Sequence, residues 1–254
     1  MGVPEQRPLV DVVILTWNDG LLLHAAVASA LGSHGVDVNV YVVDNGSDPP
    51  AQVAPDEPRV ALVRNEENRG VAPARNQGAW YGTAPFICFL DSDARLHTST
   101  LAELLAPLQA EPEVALAAPV FTGQPPEASA GRAPSLADKA LRLVNVRNTY
   151  RAADGHGAWW DVDFAIGACQ LIRREAFEAA HGLDETYFYG PEDVDFCLRL
   201  REAGRRVVQV GAAGCDHPPR RRNRAIVTKR GLVHAQAVVR HLWRHRGFTR
   251  RVAA

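Results

Sequence analysis

The sequence lacks the cysteine pattern of a disulfide framework or a structural zinc site. Its four cysteines are Cys88, Cys169, Cys197 and Cys215, and no two of them form a closely spaced pair. Cys88 and Cys197 fall inside apolar patterns, where cysteine behaves as a small core residue. Reduced thiols are typical of a reducing compartment, so we expect a cytoplasmic location.

Long apolar runs are also missing. No stretch approaches the roughly 18 apolar residues that a membrane span needs, and the N-terminal residues lack the charged segment and apolar core of a secretory signal.

The net charge of -1 excludes no partner by itself, but the C-terminal stretch is strongly basic. We expect a helical tail at 219–254 that could make a peripheral membrane contact. Nucleic-acid binding is not expected, because no recognised binding motif accompanies the basic residues.

Strand-like and helix-like segments alternate through the first half of the chain. Apolar β-branched runs predict strands, and apolar residues at helical spacing predict helices between them. The predicted strands are 10–17, 38–45, 60–65, 86–93 and 114–121, and the predicted helices are 21–31, 73–81 and 100–109. This order predicts an α/β fold with an open, mostly parallel central sheet flanked by helices.

The second half is less regular. A Pro-, Gly- and Ala-rich stretch at 122–135 predicts a loop. Beyond it we expect a helix at 136–146, a loop with Trp159 and Trp160, a strand at 164–172, a helix at 192–203 and a strand at 206–210.

Polar residues gather where four of the predicted strands end. Ligands of an open parallel sheet bind at the carboxyl ends of its strands, so these positions are the first candidates for a site. They are Trp17-Asn18-Asp19, Asp44-Asn45, Asn65 and Asp91-Ser92-Asp93.

The segment FLDSDA presents Asp91 and Asp93 at the tip of an apolar strand. Residues i and i+2 of a strand point the same way, and two like charges so close raise each other's pKa unless a cation neutralises them. Oxygen ligands suit Mg²⁺ or Mn²⁺, which can also bridge phosphate oxygens. A strand-end aspartate is a common turn former as well, and this pattern alone leaves both interpretations open.

Six motifs occur in one order: LTWND, VVDNGSD, NRGVAPARNQG, FLDSDA, GACQLIRREAF and GLDETYFYGPEDVDFCLRLREAG. Together they resemble family 2 glycosyltransferases, particularly the rhamnosyltransferase-like branch, from about Asp11 to His217. The resemblance implies a GT-A nucleotide-sugar-binding domain at 8–218. Its nucleotide-binding half would be 8–121 and its acceptor and catalytic half 135–218.

The resemblance also implies a set of donor-binding residues. The first strand's end and Asp44 would hold the base, and a carboxylate can accept the N3-H of uracil or thymine, so the expected donor is a UDP- or dTDP-sugar. Arg75 would point towards the base or diphosphate, and Asp91 would lie near the ribose. The full set is Thr16, Trp17, Asn18, Asp44, Arg75, Asp91 and Ser92.

For the metal and the chemistry, the resemblance implies Asp93 as the direct ligand of Mn²⁺ or Mg²⁺, with Asp91 in support and His217 completing the coordination. Asp193 would be the general base of an inverting transfer, with Glu192 next in line. Both acids also lie in the first turn of a predicted helix, where negative charge is favoured without any catalytic role.

The acceptor is less determined by the sequence, and a glycan or a small natural product would both suit. Four aromatic residues could form a wall for it or could belong to the core: Trp159, Trp160, Tyr187 and Tyr189.

Two other classes of function stay open from the residues themselves. One is a haloacid-dehalogenase-like phosphohydrolase, whose nucleophile also lies in a strand-end DxD, and the other is a non-enzymatic membrane-surface binding module.

Overall fold

The structure is a computed structural model that describes residues 7–54, 56–132 and 157–218. The predicted helix at 136–146 and the basic tail at 219–254 lie outside the described residues. The strands are β1 (Leu9–Thr16), β2 (Asp37–Asp44), β3 (Val60–Arg64), β4 (Phe86–Asp91), β5 (Arg95–Leu96), β6 (Val114–Phe121), β7 (Ala130–Gly131), β8 (Trp159–Asp161), β9 (Phe164–Ala165), β10 (Cys169–Arg173) and β11 (Arg206–Asp216). The α-helices are α1 (Leu21–Leu31), α2 (Val71–Tyr81), α3 (Thr100–Ala110), α4 (Arg174–Ala179) and α5 (Glu192–Glu202).

The main sheet has the order β3-β2-β1-β4-β10-β6-β11-β5, with β8 pairing to β11. The half formed by β3, β2, β1 and β4 is parallel throughout. Strand β10 is antiparallel to β4 and β6, while β11 is parallel to β6. The largely parallel α/β sheet predicted from the sequence is therefore confirmed, and the carboxyl ends of the parallel strands meet at one edge.

The central strands are almost wholly apolar because both of their faces are covered. Helix α2 packs on β1 and β2, and α3 packs on β6 and β11. Close packing of α2 depends on Gly78, since a Cβ there would come within 3.0 Å of Val43 and would collide with Val13.

The amino edge of the sheet is fixed by a buried ion pair between Arg174 and Asp11. The guanidinium of Arg174 donates to a carboxylate oxygen of Asp11 at 2.7 Å and to the carbonyls of Ala84 and Ala79 at 2.5 and 2.8 Å. This cluster lies at the end of β1 opposite to the edge where the predicted site residues gather. It therefore serves the fold and not the site.

Several elements differ from the sequence prediction. The strand predicted at 164–172 is two strands, because residues 166–168 leave the ladder and the backbone of Gly167 bonds to side chains instead. Strand β11 extends well past residue 210 with a register shift, which brings His217 to the carboxyl edge. The predicted loop around Trp159 forms β8. No helix among the described residues is both long and apolar enough to cross a bilayer.

Candidate functional site

The carboxyl edge of the parallel strands brings most of the predicted site residues together. The strand register pairs Thr16 with Asp44 and Leu15 with Asp91, so the ends of β1, β2 and β4 are level. Thr16 itself is buried beneath this rim. The register of the strands therefore makes their ends level and forms the rim. The alternation of strands and helices in the sequence predicts a parallel sheet but does not fix this register.

Asp91, Asp93 and His217 form a cluster in which each residue brings one ligand atom within 4.8 Å of the others. The Nε2 atom of His217 lies 3.5 Å from Oδ1 of Asp93 and 4.0 Å from Oδ2 of Asp91. The imidazole is buried and packs against the ring of Phe121, with 4.8 Å between centroids. The three residues that the sequence suggested as metal ligands are therefore neighbours.

The chemistry of this cluster fits a divalent cation. Burial raises the pKa of Asp93, and the nearby charge of Asp91 raises it further. A bound cation would relieve both effects, because it stabilises the ionised carboxylates. Carboxylate oxygens and one imidazole nitrogen suit Mn²⁺ or Mg²⁺ at such a site.

Asp19 is a third acid beside Asp91 and Asp93, and neither the residue pattern nor the resemblance indicated a role for it. The hydroxyl of Ser92 donates a hydrogen bond to its carboxylate, and its charge adds to the field that raises the pKa of Asp93. The cluster Trp17-Asn18-Asp19 at a strand end was the available signal. Ser92 therefore connects the β1 end to the cluster of Asp91, Asp93 and His217.

On the side predicted to bind the nucleotide, Asn18 and Ser47 hold two loops together. The backbone N-H of Asn18 donates to the Ser47 hydroxyl at 2.9 Å, and the side chain of Asn18 accepts from the N-H of Asp48 at 2.8 Å. Trp17 stands beside them with 37% of its surface exposed. Trp17 is thus partly exposed at the rim where a base was predicted.

Asp44 lies below this surface with a fully buried side chain. Its carboxylate accepts hydrogen bonds from the N-H groups of Ser47 and Ala51 at 2.9 and 3.0 Å, and Arg64 donates to it at 2.5 Å. Although burial opposes ionisation, these hydrogen bonds and the Arg64 charge hold the pKa of Asp44 below its ordinary value. Asp44 thus shapes the loop, and Arg64 is a neighbour that sequence patterns did not reveal.

Arg75, which the resemblance implies as a donor-binding residue, has several protein partners in the structure. Its side chain is only 4% exposed, and its guanidinium is turned towards acids. It donates to Oδ1 of Asp91 at 2.6 Å, to Oε1 of Glu192 at 3.4 Å and to the carbonyl of Gly167 at 2.8 Å. Arg75 therefore joins the cluster of Asp91, Asp93 and His217 to the two acids predicted to be catalytic.

Glu192 and Asp193 begin α5 and are both buried. Oδ2 of Asp193 accepts the backbone N-H of Gly167 at 2.9 Å. Oε2 of Glu192 is buried and has no hydrogen-bond partner among the described residues. Burial, together with the charge of Asp193, raises the pKa of Glu192 to about 7. The two acids thus differ in their surroundings although they are adjacent.

The aromatic residues considered for the acceptor side are separated by the fold. Trp159 donates to Glu111 at 2.9 Å and Trp160 to Gln209 at 3.2 Å, away from the carboxyl edge. Tyr187 is buried and its hydroxyl contacts Asp195 at 3.3 Å. Of the four, Tyr189 is the one exposed near the acids. Its neighbour Phe188, also exposed, was missed by the sequence analysis.

Comparison with known proteins shows the family to which the chain belongs. Residues 11–180 match the family described as Glycosyl transferase family 2. The chain is 31% identical over 248 residues to the pre-mycofactocin glycosyltransferase of Mycobacterium tuberculosis, a match covering 94% of this chain and 49% of that protein. It is 29% identical over 234 residues to the N-acetylglucosaminyl-diphospho-decaprenol L-rhamnosyltransferase of the same species, covering 82% of this chain and 76% of that protein.

Among solved structures, the mannosyltransferase PcManGT from Pyrobaculum calidifontis in complex with GDP-Man and Mn²⁺ superposes with a TM-score of 0.66 at 20% identity, covering 95% of this chain and 65% of that one. At this identity the likeness concerns the fold, which is the GT-A fold. The chain spans about half the length of the mycobacterial relative that it matches at 31% identity.

Proposed function

The chain belongs to glycosyltransferase family 2, and we propose that it transfers a sugar from a UDP- or dTDP-sugar to an acceptor hydroxyl, with inversion at the anomeric carbon and with a divalent metal. The observation that supports this most is the link through Arg75, which contacts both Asp91 of the metal-binding cluster and Glu192 of the acid pair. An inverting transfer needs these two parts at one site, one for the leaving group and one for the nucleophile.

The metal-binding cluster serves the leaving group. Asp93, Asp91 and His217 would hold Mn²⁺ or Mg²⁺, which stabilises the charge that develops on a departing diphosphate. Asp19 and Ser92 support the cluster from the β1 side. Trp17 and Asn18 would line the base, with Trp17 offering a ring face for stacking.

The base of the donor would be selected by the residues proposed to bind the nucleotide, Asp44 among them. Asp44 was expected to accept the N3-H of a pyrimidine, and its buried carboxylate could do so only through a lone pair not used by Ser47, Ala51 and Arg64. A solved structure of the same fold contains GDP-Man. A test of the donor must therefore compare pyrimidine and guanosine sugars.

The acid pair serves the acceptor. We assign the general base to Asp193, which would remove the proton of the acceptor hydroxyl as the bond from the sugar C1 to the diphosphate breaks. Glu192 is the second candidate, because its Oε2 is buried without a partner among the described residues and its pKa is raised to about 7. One carboxylate suffices, since inversion needs no covalent intermediate.

The acceptor would approach over Phe188 and Tyr189, which immediately precede Gly190-Pro191-Glu192. The carbonyl of Phe188 accepts the N-H of Val71 at 2.8 Å, so this turn is anchored while both rings stay exposed. Exposed rings beside a general base suit the apolar face of a sugar ring. We therefore propose a glycan or glycoside acceptor. The two mycobacterial relatives are named for pre-mycofactocin and for N-acetylglucosaminyl-diphospho-decaprenol, and acceptors of either kind are alternatives.

The experiment combines UDP-, dTDP- and GDP-sugars with Mn²⁺ and the chain, and measures nucleoside diphosphate release by ion-exchange chromatography. We expect release from a UDP- or dTDP-sugar that stops when EDTA is added. NMR of the product's anomeric proton then reports inversion or retention. Failure to release a diphosphate from any donor, together with hydrolysis of simple phosphate esters, would instead support a phosphohydrolase.

A further inference from the structure

Arg75 lies between the two parts of the site and contacts both. Asp91 ends β4 in the nucleotide-binding half, and Glu192 begins α5 in the other half. The guanidinium reaches them with two different nitrogens, at 2.6 and 3.4 Å. A planar fork with several donors can hold two carboxylates at once, whereas the ammonium of a lysine is a single point charge.

Gly167 extends this link to Asp193. Its carbonyl accepts from Arg75 at 2.8 Å, and its N-H donates to Oδ2 of Asp193 at 2.9 Å. A Cβ at this position would collide with Nη1 of Arg75. The guanidinium therefore fixes Glu192 directly and Asp193 through one peptide unit.

Asn76, the residue after Arg75 in α2, holds the segment that precedes α5. Asn76 donates to the carbonyl of Leu183 at 2.9 Å and accepts from its N-H at 2.9 Å, and it also donates to Glu185 at 3.0 Å. Helix α2 thus anchors the segment that leads to the exposed aromatics and then to α5. Among these contacts, those of Arg75 are the ones that reach the acids.

Burial argues against a direct role of Arg75 in donor binding. With 4% of its side chain exposed and with Asp91, Glu192 and Gly167 around the guanidinium, its nitrogens face the protein. The ring of Phe89 lies 5.7 Å from the guanidinium carbon and covers another side. The three hydrogen bonds of the guanidinium are therefore all made to protein groups.

We propose that Arg75 is a positioning residue that sets the place of the acids Glu192 and Asp193 relative to the metal-binding cluster through its simultaneous contacts with Asp91, Glu192 and Gly167. This proposal rests on the proposed function. It predicts that Arg75 controls the rate of transfer and leaves the affinity for the nucleotide nearly unchanged.

The test compares Arg75→Lys with Arg174→Lys, a matched control that loses a buried guanidinium fork at the opposite edge of the sheet. For each protein, calorimetry gives the Kd of UDP and dTDP with Mn²⁺. Steady-state assays give kcat and KM for UDP-glucose and dTDP-rhamnose, with water or methyl glycosides as acceptors. Arg75→Lys is expected to lower kcat by about 100-fold, the cost of misplacing a catalytic group by roughly 1 Å, with Kd within about threefold. Arg174→Lys is expected to keep the wild-type kcat at a temperature below its unfolding transition.

Gly167→Ala provides a second variant, because its methyl group displaces the Arg75 guanidinium without removing it. We expect the same fall in kcat with little change in Kd. Two results for Arg75→Lys would overturn the proposal. One is a nucleotide Kd that rises by the same factor as kcat/KM falls, because Arg75 would then be a donor ligand. The other is an unchanged kcat. If the wild type neither binds nor turns over these nucleotides, the proposed function itself fails, and this proposal fails with it.

Discussion

Nε2 of His217 lies 3.5 Å from Oδ1 of Asp93. The first residue follows β11 and the second follows β4, and β10 and β6 lie between those strands in the sheet. The extension of β11 beyond its predicted end is what carries the imidazole to the carboxyl edge. A cluster that could hold a cation thus forms from two distant segments, and its parts can be tested separately.

Asp93→Ala should weaken metal binding, because it removes a carboxylate that directly faces the other ligands. We expect the Mn²⁺ concentration for half-maximal turnover to rise by more than about tenfold, since even residues that only support metal ligands change affinity by roughly that factor. The matched control is Asp216→Asn, which alters a half-exposed carboxylate next to His217 that pairs with His97. An equal rise in both variants would contradict a specific role for Asp93.

Asp193→Asn should abolish transfer and preserve donor binding. Loss of a general base costs about 10² to 10⁴ in kcat, whereas the amide is nearly the same size and can still accept the hydrogen bond from Gly167. Steady-state kinetics with calorimetry separates the two effects. If Glu192→Gln loses activity while Asp193→Asn keeps it, the base is Glu192.

Glu192→Gln should change the pH dependence of stability. The pKa of Glu192 rises from an ordinary 4.5 to about 7 in the folded protein, so ionisation destabilises the wild type progressively between these two values. The variant cannot ionise there. Urea unfolding at about pH 5 and about pH 8 should show a variant that gains stability relative to the wild type at the higher pH. A difference independent of pH would contradict the raised pKa.

Tyr189→Ala should weaken acceptor binding. Loss of one stacking ring costs roughly 1 kcal/mol, which corresponds to about fivefold in KM for a methyl glycoside acceptor, with little change in nucleotide affinity. Tyr81→Ala is the control, because Tyr81 is equally exposed at 57% but ends α2 away from the acids. The same KM in wild type and Tyr189→Ala would exclude Tyr189 from the acceptor site.

Much of the fold and part of the site could be predicted from the sequence. The apolar runs of β2 and β4 indicate buried parallel strands, and such strands place Asp44 and Asp91 at one edge. Asp93 follows from the same pattern. His217 depended on the resemblance, because no local pattern connects it to β4.

The remaining contacts depend on geometry that a linear pattern does not contain. Arg75 has the spacing of an ordinary helix residue, and only the departure of Gly167 from the strand ladder gives its guanidinium a carbonyl partner. Arg64 lies at the end of an edge strand, where an arginine is usually solvated, yet its register with Asp44 creates an ion pair. Register and loop path decide both contacts.

The most direct test of the central claim is a calorimetric titration of UDP and of dTDP into the protein, once with Mn²⁺ and once with EDTA. Because Asp91, Asp93 and His217 are the residues that would hold the cation at the sheet edge, at least one of the two nucleotides should bind with Mn²⁺ and should lose measurable affinity in EDTA. Equal binding under both conditions, or no binding of either nucleotide with Mn²⁺, would contradict the account.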